Sequence, residues 1–156
     1  MPSRRDAIRM TPQELRAYLE GQRRIILVTI GADGMPHPVP MNYGIDPEGR
    51  VLITSFRKSQ KVKNLQRDPR ATLLVESGTA YAELKSAILW CDVELIEDPG
   101  EIRAGMNRIR AADGMAESLS EGMDEQVRAS IAKRVLLRFT PFRDASWDHG
   151  KLDGFY

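Results

Sequence analysis

The chain has 156 residues, a length typical of one domain that buries its apolar surface without help from metals or disulfides. It carries 23 basic and 22 acidic residues, a net charge of +1, and this balance argues against a general nucleic-acid-binding protein. The single cysteine, Cys91, excludes a disulfide framework, and no apolar run approaches the roughly 20 residues that cross a membrane. We therefore expect one cytoplasmic domain over residues 1–156, without a nucleic-acid or membrane partner.

The first predicted element is a helix that begins at residue 12. Thr11 is suited to be its N-cap, Pro12 occupies the first helical position, and Glu14 lies where it completes a capping box. Gly21 would end the helix. The residues expected on its apolar face are Leu15, Tyr18 and Leu19.

Two strands joined by a turn follow this helix. Residues 24–30 are rich in β-branched side chains, and residues 31–34 supply turn chemistry, which predicts a hairpin. The second run, residues 36–45, has prolines at positions 36, 38 and 40, so one edge of the strand lacks three N–H donors. This pattern predicts an exposed edge strand or the mouth of an open barrel, and the alternative is a proline-rich loop. The side chains expected on one face are His37, Val39, Met41 and Tyr43, with Asn42 on the other.

The stretch from Val51 to Arg70 combines an apolar strand with a turn that carries donors. The strand ends in Thr54 and Ser55, and the turn after it holds Ser59 and Lys61. Hydroxyl and ammonium donors at the start of a short helix favour binding of an anion such as phosphate. On residue types alone, the alternative is a lysine-rich turn that faces water.

The rest of the chain predicts more sheet and a helical excursion. The predicted segments are strands over residues 71–76, 79–97 and 134–140 and the helical excursion over residues 101–133. The excursion would break near residues 113–114 and near Gly122, and Pro141 would begin a tail. This order predicts a mainly β (α+β) fold, a small antiparallel barrel with helices packed outside.

The familiar catalytic motifs are mostly missing. The sequence has no GxGxxG after a strand, no GxxxxGK[ST], no HExxH and no GxSxG. His37 and His149 lack a convincing set of neighbouring metal ligands, so we expect no metal site. If the protein is an enzyme, a bound cofactor would carry the chemistry.

Four motifs occur in a fixed order along the chain: DGMPHPVPMNY, VLITSF, SQKVKNLQRDPRATLLV and VLLRFTPFRDASWDHGKL. Together they resemble the pyridoxamine 5'-phosphate oxidase-like flavin-binding split-barrel superfamily, and the resemblance covers roughly residues 11–152. It implies a six-stranded antiparallel split β-barrel with flanking helices. It also implies a homodimer that binds FMN, or the deazaflavin F420, at the subunit interface.

The resemblance further implies a set of cofactor-binding residues. Ser59 and Lys61 match the superfamily's phosphate-contacting serine and lysine. The strand over residues 37–42 matches the one beside the isoalloxazine ring, and Trp147 matches a late tryptophan that reaches the cofactor from the partner subunit. The full predicted set is His37, Pro38, Val39, Met41, Asn42, Thr54, Ser55, Ser59, Lys61, Asn64, Trp147 and Lys151. No residue is assigned a catalytic role.

One position departs from the enzymes that give the superfamily its name. Gln60 stands between Ser59 and Lys61 where relatives that oxidise pyridoxamine phosphate carry arginine, and their C-terminal substrate-binding pattern is not recognisable. The resemblance therefore implies a different FMN-dependent oxidoreductase, one that transfers a hydride to or from a small organic or nicotinamide partner.

The sequence leaves three alternatives open. The first is F420 as the cofactor, whose longer acidic tail needs extra cations, and Arg57, Lys58 and Lys63 are available for it. The second is a non-catalytic flavin- or haem-binding protein, and the third is a purely structural dimer.

Overall fold

The computed structural model describes residues 3–115, residue 119 and residues 125–152. Within these residues the main feature is one antiparallel sheet of seven strands. The strands are β1 (Arg24–Ile30), β2 (Pro36–Asn42), β3 (Gly44–Ile45), β4 (Val51–Phe56), β5 (Arg70–Ser77), β6 (Lys85–Ile96) and β7 (Arg134–Asp148). The helices are α1 (Arg4–Ala7), α2 (Pro12–Gly21), α3 (Gln60–Arg67), α4 (Pro99–Ala112) and α5 (Glu125–Ala132), with 3₁₀ turns at Tyr81–Glu83 and His149–Leu152.

The sheet curls into a half-barrel because its two edge strands are adjacent in the chain. The strand order is β2-β1-β5-β6-β7-β4-β3, and only Tyr43 separates β2 from β3. In a flat sheet, six spacings of about 4.8 Å would place the two edges about 29 Å apart, whereas two residues of chain reach about 7.6 Å. The sheet therefore bends until its edges meet near Tyr43.

The resemblance implies six strands, whereas the described residues form seven. The difference lies in the run over residues 36–45, which the sequence predicts as one strand. Its first part, β2, pairs with β1, whereas β3 pairs with Val51 and Leu52 of β4 at the opposite edge. Tyr43 stabilises this crossing because its side chain is buried and its hydroxyl donates to the backbone oxygen of Leu19.

β2 is an edge strand, as its prolines predict. It pairs with β1 along its whole length, and no strand of the described residues lies on its other side. The missing N–H groups of the prolines therefore remove no ladder hydrogen bond. The side chains that alternate with the prolines are half-buried on the inner face and are His37, Val39 and Met41.

The main core fills the inside of the half-barrel. Leu27, Leu73, Leu137 and Phe139 are fully buried there. Val62 and Leu65 of α3 and Leu19 of α2 pack onto the same core. A second, smaller core lies beneath α4 and α5 on the other side of the sheet, and it consists of Leu52, Ile96, Ile102, Ile131 and Leu136.

The predicted start of α2 and the predicted break after α4 are confirmed. The N–H of Glu14 donates to Thr11 Oγ1 and the N–H of Thr11 donates to Glu14 Oε2, which completes the capping box. α4 ends at Ala112, next to the predicted break at residues 113–114. The predicted break at Gly122 lies outside the described residues.

The prediction of a tail after Pro141 is wrong. β7 continues to Asp148 and pairs with β6 over its whole second half. A bulge at Phe142, between the pairs Cys91–Pro141 and Trp90–Arg143, lets the strand pass the proline. Pro141 directly precedes the bulged residue, and bulges are among the few places where a sheet tolerates proline.

The predicted start of the long strand at Thr79 is also wrong, because β6 begins at Lys85. Gly78 has a φ of 96°, and the residues after it form the 3₁₀ turn Tyr81–Glu83. A left-handed residue followed by a 3₁₀ turn interrupts the extended backbone, so the connection is longer than the composition indicates.

We expect Gly78→Ala to destabilise the protein more than Gly34→Ala. Both glycines have positive φ, but a Cβ at Gly78 would lie 2.3 Å from the backbone oxygen of Glu83, whereas a Cβ at Gly34 would meet nothing within 4 Å. Backbone strain alone costs about 1 kcal/mol at Gly34, and the added overlap raises the loss at Gly78 to about 3 kcal/mol. Urea unfolding of both variants measures the difference, and equal losses would contradict the proposed overlap.

Candidate functional site

The residues predicted to form a site lie where β2 and β4 separate. β3 pairs with β4 only at Val51 and Leu52, so in the described part of the chain the edge of β4 over residues 53–56 has no strand beside it. A cavity of about 310 Å³ lies beside this edge, lined by Pro40, Met41 and Asn42 of β2 and by Thr54 of β4. We refer to the gap between β2 and residues 53–56 as the split.

Three polar side chains meet where β4 leads into α3. Lys61 Nζ donates to Ser55 Oγ over 3.3 Å, and the Oγ atoms of Ser55 and Ser59 lie 3.0 Å apart. Ser55 is only 4% exposed, whereas Ser59 and Lys61 are partly exposed. The structure thus brings three of the predicted residues into one group, which we name the Ser–Lys cluster.

The first turn of α3 contributes backbone donors to the same place. Ser59 is the N-cap residue, but its side chain makes no capping hydrogen bond and is directed to Ser55 instead. The first N–H groups of a helix have no acceptor within the helix and carry partial positive charge. These N–H groups and the Ser–Lys cluster therefore form one region of positive potential.

Lys61 has no negatively charged partner among the described residues. Burial lowers the pKa of its ammonium group, and burial is the only cause of that shift. The hydrogen bond to Ser55 leaves the charge uncompensated. A partly buried cation beside two hydroxyls and free backbone N–H groups fits an anion of the size of phosphate.

Asn64 anchors α3 and has no exposed surface. Its amide nitrogen donates to Thr29 Oγ1 at 3.0 Å, and its amide oxygen accepts from Gln60 Nε2 at 2.8 Å. The hydrogen bond to Thr29 joins α3 to β1, and the one from Gln60 lies within α3. Asn64 therefore positions the helix start, and its side chain is directed into the protein.

The predicted β2 residues lie on the two sides of the edge strand. Pro38 and Asn42 are exposed, and Val39 and Met41 are half-buried on the inner side with His37. In the described residues His37 Nδ1 is buried without a hydrogen-bond partner. A buried ring nitrogen without a partner is unfavourable, so a hydrogen-bond partner brought to this nitrogen would be stabilising.

Trp147 does not lie at the split of its own chain. It pairs with Ser86 near the end of β7, whereas Ser55 pairs with Val135 near the beginning of the same strand. A fully extended strand would advance by up to roughly 40 Å between Val135 and Trp147. Within one chain, Trp147 and the Ser–Lys cluster are therefore far apart.

Lys151 is engaged in contacts with the N-terminal part of the chain. Its Nζ donates to Glu14 Oε2 at 2.6 Å and to the backbone oxygen of Arg9 at 2.8 Å. The hydrogen bond from Lys151 is the main reason that the pKa of Glu14 is lowered. Lys151 thus ties the last 3₁₀ turn to the start of α2.

Two charged residues of the split are absent from the sequence-based prediction. Arg24, the first residue of β1, and Arg134, the first residue of β7, line the same cavity as Thr54 and Asn42. Arginines at strand ends usually face water, so no local pattern distinguishes these two. Only the curling of the sheet brings the beginnings of β1 and β7 to one cavity.

Other candidate chemistry is limited in the described part of the chain. No helix there is long and apolar enough to cross a membrane, and no three histidine, cysteine or acidic side chains there are placed to hold a metal ion. Cys91 is buried, and burial raises the pKa of its thiol to about 12, so the thiol stays protonated at neutral pH.

The curled antiparallel sheet, with donors at its open edge, defines a split-barrel protein. Residues 11–147 match the family model described as pyridoxamine 5'-phosphate oxidase. This match covers most of the chain, so the chain belongs to the pyridoxamine 5'-phosphate oxidase family and the predicted resemblance is confirmed.

Solved structures support the same fold over nearly the whole chain. A conserved hypothetical protein of Mycobacterium tuberculosis is 30% identical with a TM-score of 0.87, and the match covers 99% of this chain and 95% of that one. A structure described as a F420 reductase shares the fold at 21% identity with a TM-score of 0.64, covering 83% of this chain and 94% of that one.

A curated relative matches over a shorter stretch. It is the 5a,11a-dehydrotetracycline/5a,11a-dehydrooxytetracycline reductase of Streptomyces rimosus subsp. rimosus, which is 37% identical over 62 residues. The match covers 38% of this chain and 44% of that reductase, so less than half of the relative is represented.

Proposed function

We propose that this protein is an oxidoreductase that binds a flavin or deazaflavin in the split, with the cofactor phosphate at the Ser–Lys cluster. The observation that carries the proposal is the charge of Lys61, which has no carboxylate partner among the described residues and lies beside two hydroxyls and the N–H groups of α3. The names of two relatives, both reductases, support this reaction class.

Each part of the chain has a separate task in this proposal. When bound, the cofactor supplies hydride transfer to or from a small organic substrate. Ser55, Ser59 and Lys61 hold the phosphate with charge-assisted hydrogen bonds. Val39 and Met41 offer an apolar surface on the inner side of β2, and His37 Nδ1 is free to bond a polar atom of the ring system.

Binding of purified protein to FMN and to F420 tests this proposal directly. Both molecules carry the phosphate that the Ser–Lys cluster would bind, so we expect at least one of them to bind at micromolar concentration. Absorbance and fluorescence titrations measure the affinity, and reduction of bound FMN by NADH or NADPH, or transfer from reduced F420, separates an enzyme from a carrier. Failure to bind either molecule at about 1 mM would overturn the proposal.

We also propose that the protein is a homodimer, because the outer face of its sheet is apolar. Ile26, Leu74 and Ile88 lie opposite one another on β1, β5 and β6, on the side away from the main core, and all three remain partly exposed. Trp147 lies on the same face, two residues beyond Ala145, which pairs with Ile88. A second copy is the expected occupant, since it would bring a Trp147 to a split that its own chain cannot reach.

The charge of Lys61 predicts the pH dependence of phosphate binding. Its pKa is lowered by burial. Affinity for FMN or F420 should therefore be complete below this pKa and fall as pH rises through it. The Lys61→Arg variant keeps its charge, so its affinity should stay constant over the same range. Titrations of both proteins between about pH 7 and 10 test this, and a parallel decline would contradict a role for Lys61.

The same pKa shift has the opposite effect on the ligand-free protein. A lysine with a lowered pKa binds its proton more weakly in the folded state than in the unfolded chain. Its contribution to stability therefore rises as pH increases through the lowered pKa toward the ordinary value for lysine.

A further inference from the structure

A buried polar pair joins α3 to the inner face of β1. Asn64 Nδ2 donates to Thr29 Oγ1 over 3.0 Å, and neither residue has exposed surface. The other inner residues of β1 are Ile25 and Leu27, which belong to the main core. Two apolar groups of the same shape would stabilise the fold about as well, so stability alone does not account for this pair. We name Thr29 and Asn64 the Thr–Asn pair.

Thr29 lies between the two halves of the proposed cofactor site. In the ladder of β1 and β2 it is opposite His37, whose side chain is half-buried on the same inner face. Its hydrogen-bond partner, Asn64, belongs to α3, whose first turn holds Lys61 of the Ser–Lys cluster. One hydroxyl therefore connects the strand proposed for the ring with the helix proposed for the phosphate.

The other contacts of α3 constrain its position less. Val62 and Leu65 pack onto the main core, and apolar burial has no preferred direction. Arg67 donates to the backbone oxygen of Ile30, but from an exposed position in the last turn of the helix. A hydrogen bond depends on both distance and angle. The Thr–Asn pair is thus the buried, directional contact between α3 and β1.

We propose that the Thr–Asn pair fixes the spacing between the Ser–Lys cluster and the inner face of β2, so that one cofactor molecule occupies both. Thr29 and Asn64 are then positioning residues, which touch neither phosphate nor ring. This inference rests on the proposed function, which places the phosphate at the cluster and the ring at β2. A ligand with two joined binding groups gains from both only when their spacing matches the site. Loss of the pair therefore weakens a whole cofactor more than a fragment that fills one half.

Affinities for FMN and for riboflavin, which is FMN without its phosphate, test this inference. We expect Thr29→Val to weaken FMN binding about tenfold and riboflavin binding less than about twofold, because riboflavin does not engage the Ser–Lys cluster. If the parent binds F420 and not FMN, F420 and its phosphate-free deazaflavin fragment take their places. Thr140→Val makes the same chemical change at an exposed position of β7 and should alter neither affinity. Fluorescence titration measures all of these affinities.

Amide hydrogen exchange of the ligand-free protein measures the placement of α3 without any cofactor. The N–H of Lys63 donates to the backbone oxygen of Ser59 and so reports on the first turn of the helix. We expect this amide to exchange about tenfold faster in Thr29→Val and at the parent rate in Thr140→Val. If Thr29→Val does not fold, the double variant Thr29→Val/Asn64→Leu replaces both polar partners and should show the same two effects.

The outcomes separate the positioning role from the proposed function. Equal weakening of FMN and riboflavin binding, or unchanged FMN binding in Thr29→Val, would overturn the positioning role. Failure of the parent to bind either FMN or F420 would overturn the proposed function alone. In that case the exchange rate at Lys63 decides whether the Thr–Asn pair positions α3. Faster exchange in Thr29→Val would support this role, and an unchanged rate would overturn it.

Discussion

The Lys61→Ala variant should bind FMN or F420 about 10- to 100-fold more weakly than the parent, because a hydrogen bond to a charged group contributes about 1.5 to 3 kcal/mol. Its ligand-free stability should be unchanged or slightly higher. The lowered pKa shows that the fold disfavours the charged ammonium when no anion is present. A loss of affinity without a loss of stability is expected of a binding residue and not of a structural one.

Lys63→Ala is the matched control for this experiment. Lys63 lies on the same helix, two residues further on, but it is exposed and outside the Ser–Lys cluster. We expect its removal to change affinity less than about threefold. Titration of both variants, with thermal unfolding of the ligand-free proteins, decides the question. If Lys63→Ala loses as much affinity as Lys61→Ala, the phosphate is attracted by the overall positive charge of this region and is not held by the Ser–Lys cluster.

The Ile88→Lys variant should convert the proposed dimer into monomers. Ile88 lies centrally on the outer sheet face, between Leu74 and Ala145, and a lysine there would bury charge in an apolar interface. Cofactor affinity should fall with the dimer, because a monomer brings no second Trp147 to the split. Sedimentation velocity measures the oligomeric state, and a parent that is monomeric would contradict the proposal.

Met35→Lys is the control for surface charge. Met35 is 64% exposed in the turn between β1 and β2 and lies off the sheet face, so the variant should remain dimeric. A monomeric Met35→Lys protein would show that added charge alone disrupts association.

Mixing two defective variants tests whether the site is shared between chains. In a mixed dimer of Lys61→Ala and Trp147→Ala chains, one of the two sites would combine an intact Lys61 with an intact Trp147. Random pairing should then restore about a quarter of the sites, although neither variant binds well by itself. No recovery after unfolding and refolding the mixture together would mean that Trp147 does not act across the interface.

Local patterns predict much of the fold and part of the site. The capping box of α2, the hairpin turn and the alternating prolines each act over a few residues, and the structure confirms all three. The grouping of Ser55, Ser59 and Lys61 is predictable for the same reason, since all three lie within one strand–turn–helix segment.

Contacts between distant parts of the chain cannot be predicted from local sequence patterns. The chain passes at Tyr43 from one edge of the sheet to the other, and this depends on which strands pair. β3 is too short to show the alternation of apolar and polar side chains that identifies a strand. Asn64 lies in the same sequence motif as Ser59 and Lys61. In the structure, however, its side chain is buried and hydrogen-bonded to Thr29 and Gln60. Continuation of β7 past Pro141 requires the bulge against β6, which no local preference specifies.

The sequence by itself determined the class of fold, the edge strand and the donors at the start of α3, because hydrophobic period, proline spacing and helix capping are properties of neighbouring residues. The tertiary structure alone decided that Arg24 and Arg134 line one cavity beside the Ser–Lys cluster and that Trp147 lies far from it. These placements follow from strand pairing and from the closure of the sheet. Both are fixed by burial of residues that are distant in the chain.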